Sequence, residues 1–169
     1  MLEKIINIWD KYWMLFMQGL GITLLLSLII VIVGTLLGFL LAMFRLSNWK
    51  IAKIRPLNTV AGIYVEIVRG TPMLLQLYFF YFMLPMAFPK MNLSPVVCAT
   101  VALCLNSAAY VSEVIRSGIQ AVDKGQMEAG RSLGMSYVTT MKDIILPQAM
   151  RIILPPLAVQ AANLVKNTS

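Results

Sequence analysis

The sequence predicts an all-α polytopic membrane helical bundle, and three observations carry that prediction. Apolar residues make up 59% of the chain and charged residues only 12%, whereas a soluble domain carries about a quarter charged residues. Residues 12–44 form a run of 33 without a single charge, and about 20 suffice to cross a hydrocarbon core. Further apolar stretches of helix length come after it, separated by short charged segments rather than by the alternating patterns of strands.

The first span is expected over about residues 14–44, with Tyr12 and Trp13 as an interfacial lead-in. It is too long for the apolar core of a signal peptide and lacks a basic leader and a small-residue cleavage site. Arg45, Lys50, Lys53 and Arg55 follow without an acid. A short basic loop of this kind stays in the cytoplasm. Glu3, Lys4, Asp10 and Lys11 cancel at the other end, so the N-terminus is expected outside.

A second span is expected over about 60–86, interrupted at Pro72 and followed by an external turn at Pro85 and Pro89. Glu66 and Arg69 within it, and Glu113 and Arg116 later, are spaced three apart and read as boundary ion pairs. The third span is expected over about 91–112 and the fourth over about 148–167. Between them, residues 113–147 are mixed and polar, too amphipathic for a linker, and are expected in the cytoplasm. From Arg151 to the last residue, eighteen helical steps reach roughly 27 Å, so the fourth crossing is barely complete and the chain reads as C-terminally truncated.

Net charge is +7, from 14 Lys and Arg against 7 Asp and Glu. The basic residues are scattered between apolar runs, which fits a topology signal and not a nucleic-acid footprint. With no His, and with Cys98 and Cys104 set in an apolar run without partner ligands, no metal site, disulfide framework or catalytic triad is expected.

Local chemistry in the polar segment predicts a short helix near Gln126–Leu133. Ala129 and Gly130 give it a low surface, Glu128 is expected on its first turn, Gly134 closes it at positive φ, and Ser136 caps the next segment. Pro147 marks the turn into the last span. Polar groups inside spans are costly and tend to be functional. They are Gln76, Asn106, Ser107, Gln160 and Asn163. Amides donate to a carboxylate and accept from an ammonium, the two groups of every free amino acid. Pro155 and Pro156 free backbone carbonyls nearby. Gly34 and Gly38 form a G-x-x-x-G in the first span, read as close packing within the subunit.

Glu128-Ala129-Gly130, three residues, Gly134, nine residues, then Ile144-Ile145-Leu146-Pro147 resembles the EAA motif of ABC importer permeases. That motif reads E-A-A, three spacers, G, nine spacers, I, a spacer, L-P; Gly130 replaces its third Ala. Arg69-Gly70-Thr71-Pro72-Met73-Leu74-Leu75-Gln76, Ser117-Gly118-Ile119-Gln120, Lys124-Gly125-Gln126, Leu154-Pro155-Pro156-Leu157 and Lys166-Asn167-Thr168-Ser169 are similar to segments of the polar amino-acid branch. The resemblance covers nearly the whole chain.

The resemblance implies a type I importer permease domain over residues 1–169, with four spans present and a fifth expected but missing. It implies an amino-acid importer subunit in a prokaryotic cell membrane, its substrate pathway formed with a second permease copy or a sibling. An extracytoplasmic solute-binding protein would deliver substrate. ATP and Mg would reside on an ATP-binding partner, no cofactor being bound by this chain. Gln126, Glu128, Ala129, Gly130, Gly134, Ile144, Leu146 and Pro147 would serve coupling to that partner. The chain carries no Walker-type G-x-x-x-x-G-K-[ST] and is not itself the motor. The alternatives are an importer of another small polar solute, an ion-driven transporter, and a non-transporting truncated remnant.

Overall fold

The computed structural model describes residues 2–47 and 56–168, with side chains from residue 9 onward. The expected basic loop at Lys50, Lys53 and Arg55 lies outside the described residues, as do Ser169 and the side chains of Glu3 and Lys4. Every regular element among the described residues is helical.

Helix α1 covers Leu2–Leu46. At 1.5 Å per residue its 45 residues extend about 68 Å, more than twice a hydrocarbon core of about 30 Å. Its start carries an aromatic group in which Trp9 stacks with Phe16 and Lys11 lies over Tyr12. Such amphipathic rings suit a membrane–water interface.

The second apolar stretch is not one helix. Helix α2, Pro56–Gly70, and helix α3, Met73–Ala87, meet at an angle of 109°. Pro72 has φ −58° and ψ 135°; its ring also disfavours the α conformation at Thr71. The turn at Pro89–Met91 comes next, with Asn92 left-handed at φ 44°.

Helix α4, Pro95–Gln120, starts at Ser94, whose hydroxyl accepts from the Val97 amide. It runs past Ser112 into the charged region, where the Arg116 side chain bonds both Glu113 and Gln120. It is the central post, packed by α1, α2, α3 and the last helix. Its small residues Ala102, Ser107, Ala108 and Ala109 are buried.

Helix α5, Lys124–Ser132, is capped by Asp123, whose carboxylate accepts from the Gly125 amide at 2.7 Å. Helix α6, Tyr137–Thr140, is capped by Ser136. A single π-helical turn, Met141–Ile145, leads into helix α7, Leu146–Thr168. The backbone stays helical through Pro155 and Pro156, which have no amide to offer the carbonyls one turn earlier.

Three continuous helices among the described residues are long and apolar enough to cross a membrane: Trp9–Leu46, Pro95–Gln120 and Tyr137–Thr168. The bent α2–α3 pair passes the same test of length and apolarity when its two helices are taken together, which makes four crossings if the pair is one broken span. Two apolar clusters hold the bundle. One joins Ile30, Leu103, Cys104 and Leu164 from α1, α4 and α7. The other joins Val122, Ile145, Ala149 and Ile153 beneath the polar segment. Cys98 and Cys104 are both buried and unbridged.

Candidate functional site

Two sites emerge from this frame. The first is a cavity of about 320 Å3 between the α2–α3 break, α4 and α7. Asn106 and Tyr110 wall it from α4, Gln160, Asn163, Lys166 and Asn167 from α7, and Thr71 from the break. The volume lies at the lower end of the range of about 300–1,000 Å3 for small-molecule sites. Lys166 is the one charged residue in this lining.

Of the five side chains expected along a substrate pathway, Asn106, Gln160 and Asn163 reach this cavity together. Gln76 stands behind them. Its amide nitrogen donates to the Val68 carbonyl at 2.6 Å and to the Thr71 hydroxyl at 2.7 Å, while its oxygen accepts from Asn106 at 3.0 Å. It satisfies the backbone at the helix break and fixes the Asn106 amide. Ser107 faces the other way. A Cβ placed on Gly34 would lie 2.6 Å from its hydroxyl oxygen, which has no hydrogen-bond partner among the described residues. Ser107 and Gln160 both wall a second cavity of about 290 Å3 between α1, α4 and α7. Tyr110, Thr71 and Asn167 are not among the polar residues that the sequence singles out at mid-span: Thr71 stands at the break and Asn167 near the end of α7, while Tyr110, inside α4, reads as an aromatic packing residue.

A charged cluster adjoins the first cavity. Glu113 accepts from Arg45 of α1 and from Arg116, and Arg69 of α2 approaches it at 3.8 Å. Arg69 also lies over the Tyr110 ring, 5.5 Å from its centre. The expected Glu113–Arg116 pair is present, whereas Arg69 is drawn to Glu113 and Tyr110 rather than to Glu66. The 109° bend places the end of α2 against α4, a contact that spacing within one helix does not reveal.

The second site is the polar segment. Gln126, Glu128 and Ala129 are exposed on α5, while Gly130 is buried. Because the Asp123 cap lets the helix start at Lys124, two residues earlier than expected, Glu128 stands on its second turn and not its first. Gly134 has φ +83°, and Met135 donates its amide to the Gly130 carbonyl at 3.1 Å. This is the left-handed closure that glycine permits. Ile144 packs on the cluster beneath, and Leu146 and Pro147 are exposed at the start of α7. Gln148 bridges the two elements, donating to Gln126 at 3.3 Å and to the Ile144 carbonyl at 3.0 Å. Leu133 and Val138, exposed at 82% and 72% on either side of Gly134, are apolar side chains left uncovered among the described residues.

The sequence profile of binding-protein-dependent transport system inner membrane components matches residues 34–169, a span that includes both sites. The chain belongs to that family. This permease is 39% identical over 165 residues to the L-cystine transport system permease protein TcyB of Bacillus subtilis, covering 95% of the chain and 68% of that protein. It is 43% identical over 169 residues to the putative glutamine transport system permease protein GlnP of Rickettsia felis, covering all of the chain and 74% of that protein. Against the probable amino-acid ABC transporter permease protein YckA of Bacillus subtilis, at 42% identity, it spans 64% of the relative's length. The solved structure of an amino acid ABC transporter with histidines superposes with a TM-score of 0.84 at 43% identity, covering 94% of this permease and 71% of that chain. The MetNI methionine ABC transporter shares the fold, with a TM-score of 0.72 at 17% identity over 93% and 73%. The permease is thus an inner membrane transport subunit and not an enzyme; in such systems ATP is hydrolysed by a separate ATP-binding subunit.

Proposed function

We propose that this permease forms the pathway of an ATP-driven importer for amino acids whose side chains carry no positive charge. The observation that carries this reading is the lining of the 320 Å3 cavity: four amides, Asn106, Gln160, Asn163 and Asn167, with Lys166 and no carboxylate. The amides offer donors to a substrate carboxylate and acceptors to its ammonium. Lys166 adds attraction for the carboxylate, and nothing in the lining neutralises a basic side chain. Relatives named for cystine, glutamine and arginine support a substrate among the amino acids; the cavity's charge narrows the choice.

The polar segment supplies the drive in this reading. Helix α5 stands free of the bundle on its exposed face and is tied at both ends to helices of the bundle, so force at its tip moves α4 and α7. An ATP-binding subunit would grip Gln126, Glu128 and Ala129 from the cytoplasm, with Gly134, Ile144, Leu146 and Pro147 shaping the segment. The N-terminus then lies outside. A solute-binding protein would deliver substrate, and a second permease, identical or a sibling, would complete the pathway.

The test is uptake by the permease reconstituted with its ATP-binding subunit and a solute-binding protein. Labelled glutamine should accumulate and labelled arginine should not, with uptake requiring ATP and surviving an ionophore. Gln160→Ala should weaken substrate affinity about tenfold, the worth of one well-placed hydrogen bond. Preferential uptake of arginine, or unchanged affinity in that variant, would defeat the assignment.

A further inference from the structure

We propose that Gly130 and Thr140 form the joint through which motion of α5 passes into the membrane-crossing helix α7; this rests on reading α5 as the coupling helix. Gly130 stands where the EAA pattern has its third Ala, and the fold shows what occupies the space of the missing methyl. A Cβ on Gly130 would lie 2.6 Å from Thr140 Cγ2 and 3.0 Å from its Oγ1. Thr140 is fully buried. Its hydroxyl donates to the Ser136 carbonyl at 2.9 Å, which fixes the rotamer that aims the methyl at Gly130. The glycine is a notch and the threonine methyl is the peg.

The peg, the last residue of α6, is in turn joined to α7 through the π turn. The buried residues along this stretch are Thr140, Ile145, Ala149 and Ile153, separated by five, four and four positions. Four residues of α-helix return to nearly the same face, but five turn about 500°, some 140° away from it. The five-residue step coincides with the π turn Met141–Ile145, whose wider i→i+5 winding absorbs the extra residue. Without that turn, Thr140 and Ile145 could not face the same side. Farther along, Ile153 fills the space in front of Gly118 of α4, where a Cβ has no room. The path from α5 to the central post therefore runs through two glycine notches and one continuous stripe. Close-packed contacts of this kind transmit displacement because they leave no void to take it up.

The joint predicts that slack in it, and not merely loss of a side chain, uncouples the machine. In proteoliposomes holding the permease with its ATP-binding subunit and solute-binding protein, Thr140→Ala empties the notch. ATP consumed per substrate imported should rise about threefold or more. Adding Gly130→Ala to that variant returns a methyl to the notch from the other side, and the ratio should come back to within about twofold of the original. If Thr140→Ala fails to assemble with the ATP-binding subunit, Thr140→Ser, which removes only the methyl, carries the same expectation. An unchanged ratio in the single variant, or no recovery in the double, overturns the joint. Glu128→Lys run alongside separates the two readings. If it uncouples while the Thr140 variants do not, only the joint falls; if Glu128→Lys also transports normally, the coupling role of α5 falls and the joint with it.

Discussion

At the scale of single residues, the bundle depends on places where a side chain is missing. Gly34 and Gly38 of α1 lie against Ser107 and Val111 of α4, each pair four residues apart, so two ridges of matching pitch interdigitate. A Cβ on Gly38 would lie 2.6 Å from Val111 Cβ and 2.9 Å from the Ala108 carbonyl oxygen. The backbone on that side cannot retreat without moving α4. Gly38→Leu should therefore lower stability by about 1–3 kcal/mol or more, read as an earlier thermal transition in detergent. Gly62→Ala, with nothing within 4 Å, should leave the transition in place. The G-x-x-x-G spacing makes close contact legible in the sequence. That α4 is the partner emerges only from the tertiary arrangement, since small residues at this spacing serve many interfaces equally well.

At the scale of elements, the α2–α3 break is the feature most exposed to failure. Bending the chain by 109° interrupts the backbone ladder, and in an apolar surrounding such groups must find other partners. Gln76 meets that demand, taking up the Val68 carbonyl and the Thr71 hydroxyl at once. Gln76→Leu keeps the size and removes the bonds. It should destabilise the break by about 1–3 kcal/mol, and limited proteolysis of the purified subunit should cut faster between α2 and α3. The interruption at Pro72 is visible in the sequence because proline constrains its neighbours. The tie is not: an amide inside a span reads equally as a ligand for substrate or as a support for backbone, and only the hydrogen-bond partners decide. For the same reason Ser107 joins the substrate candidates on sequence alone, although its hydroxyl faces the notch of α1. The caps at Asp123 and Ser136 are local devices. The second is legible beside the glycine that ends α5; the first is obscured because Lys124 and Gly125 are weak signals of a helix start.

At the scale of the whole molecule, the proposed function makes the bundle a pathway and the polar segment its handle. Glu128 is exposed on α5 among the described residues. Glu128→Lys should leave the fold intact, because the residue touches no core cluster. It should also sharply reduce uptake in the reconstituted importer while ATP hydrolysis loses its response to substrate-loaded binding protein. Normal uptake with normal stimulation would show that this face is not gripped. The family and its motif are legible because the pattern is contiguous along the chain. The cavity is less so, because its walls come from residues separated by up to 96 positions, Thr71 to Asn167, and no local rule brings them together. The sulfur atoms offer a practical dividend. Cys98 and Cys104 are only 1% and 7% exposed, and thiols so enclosed react slowly. The natural protein can thus receive a solitary reporter without first being stripped of its own cysteines. A Leu133→Cys chain treated with a membrane-impermeant maleimide from either side would disclose which compartment the handle occupies.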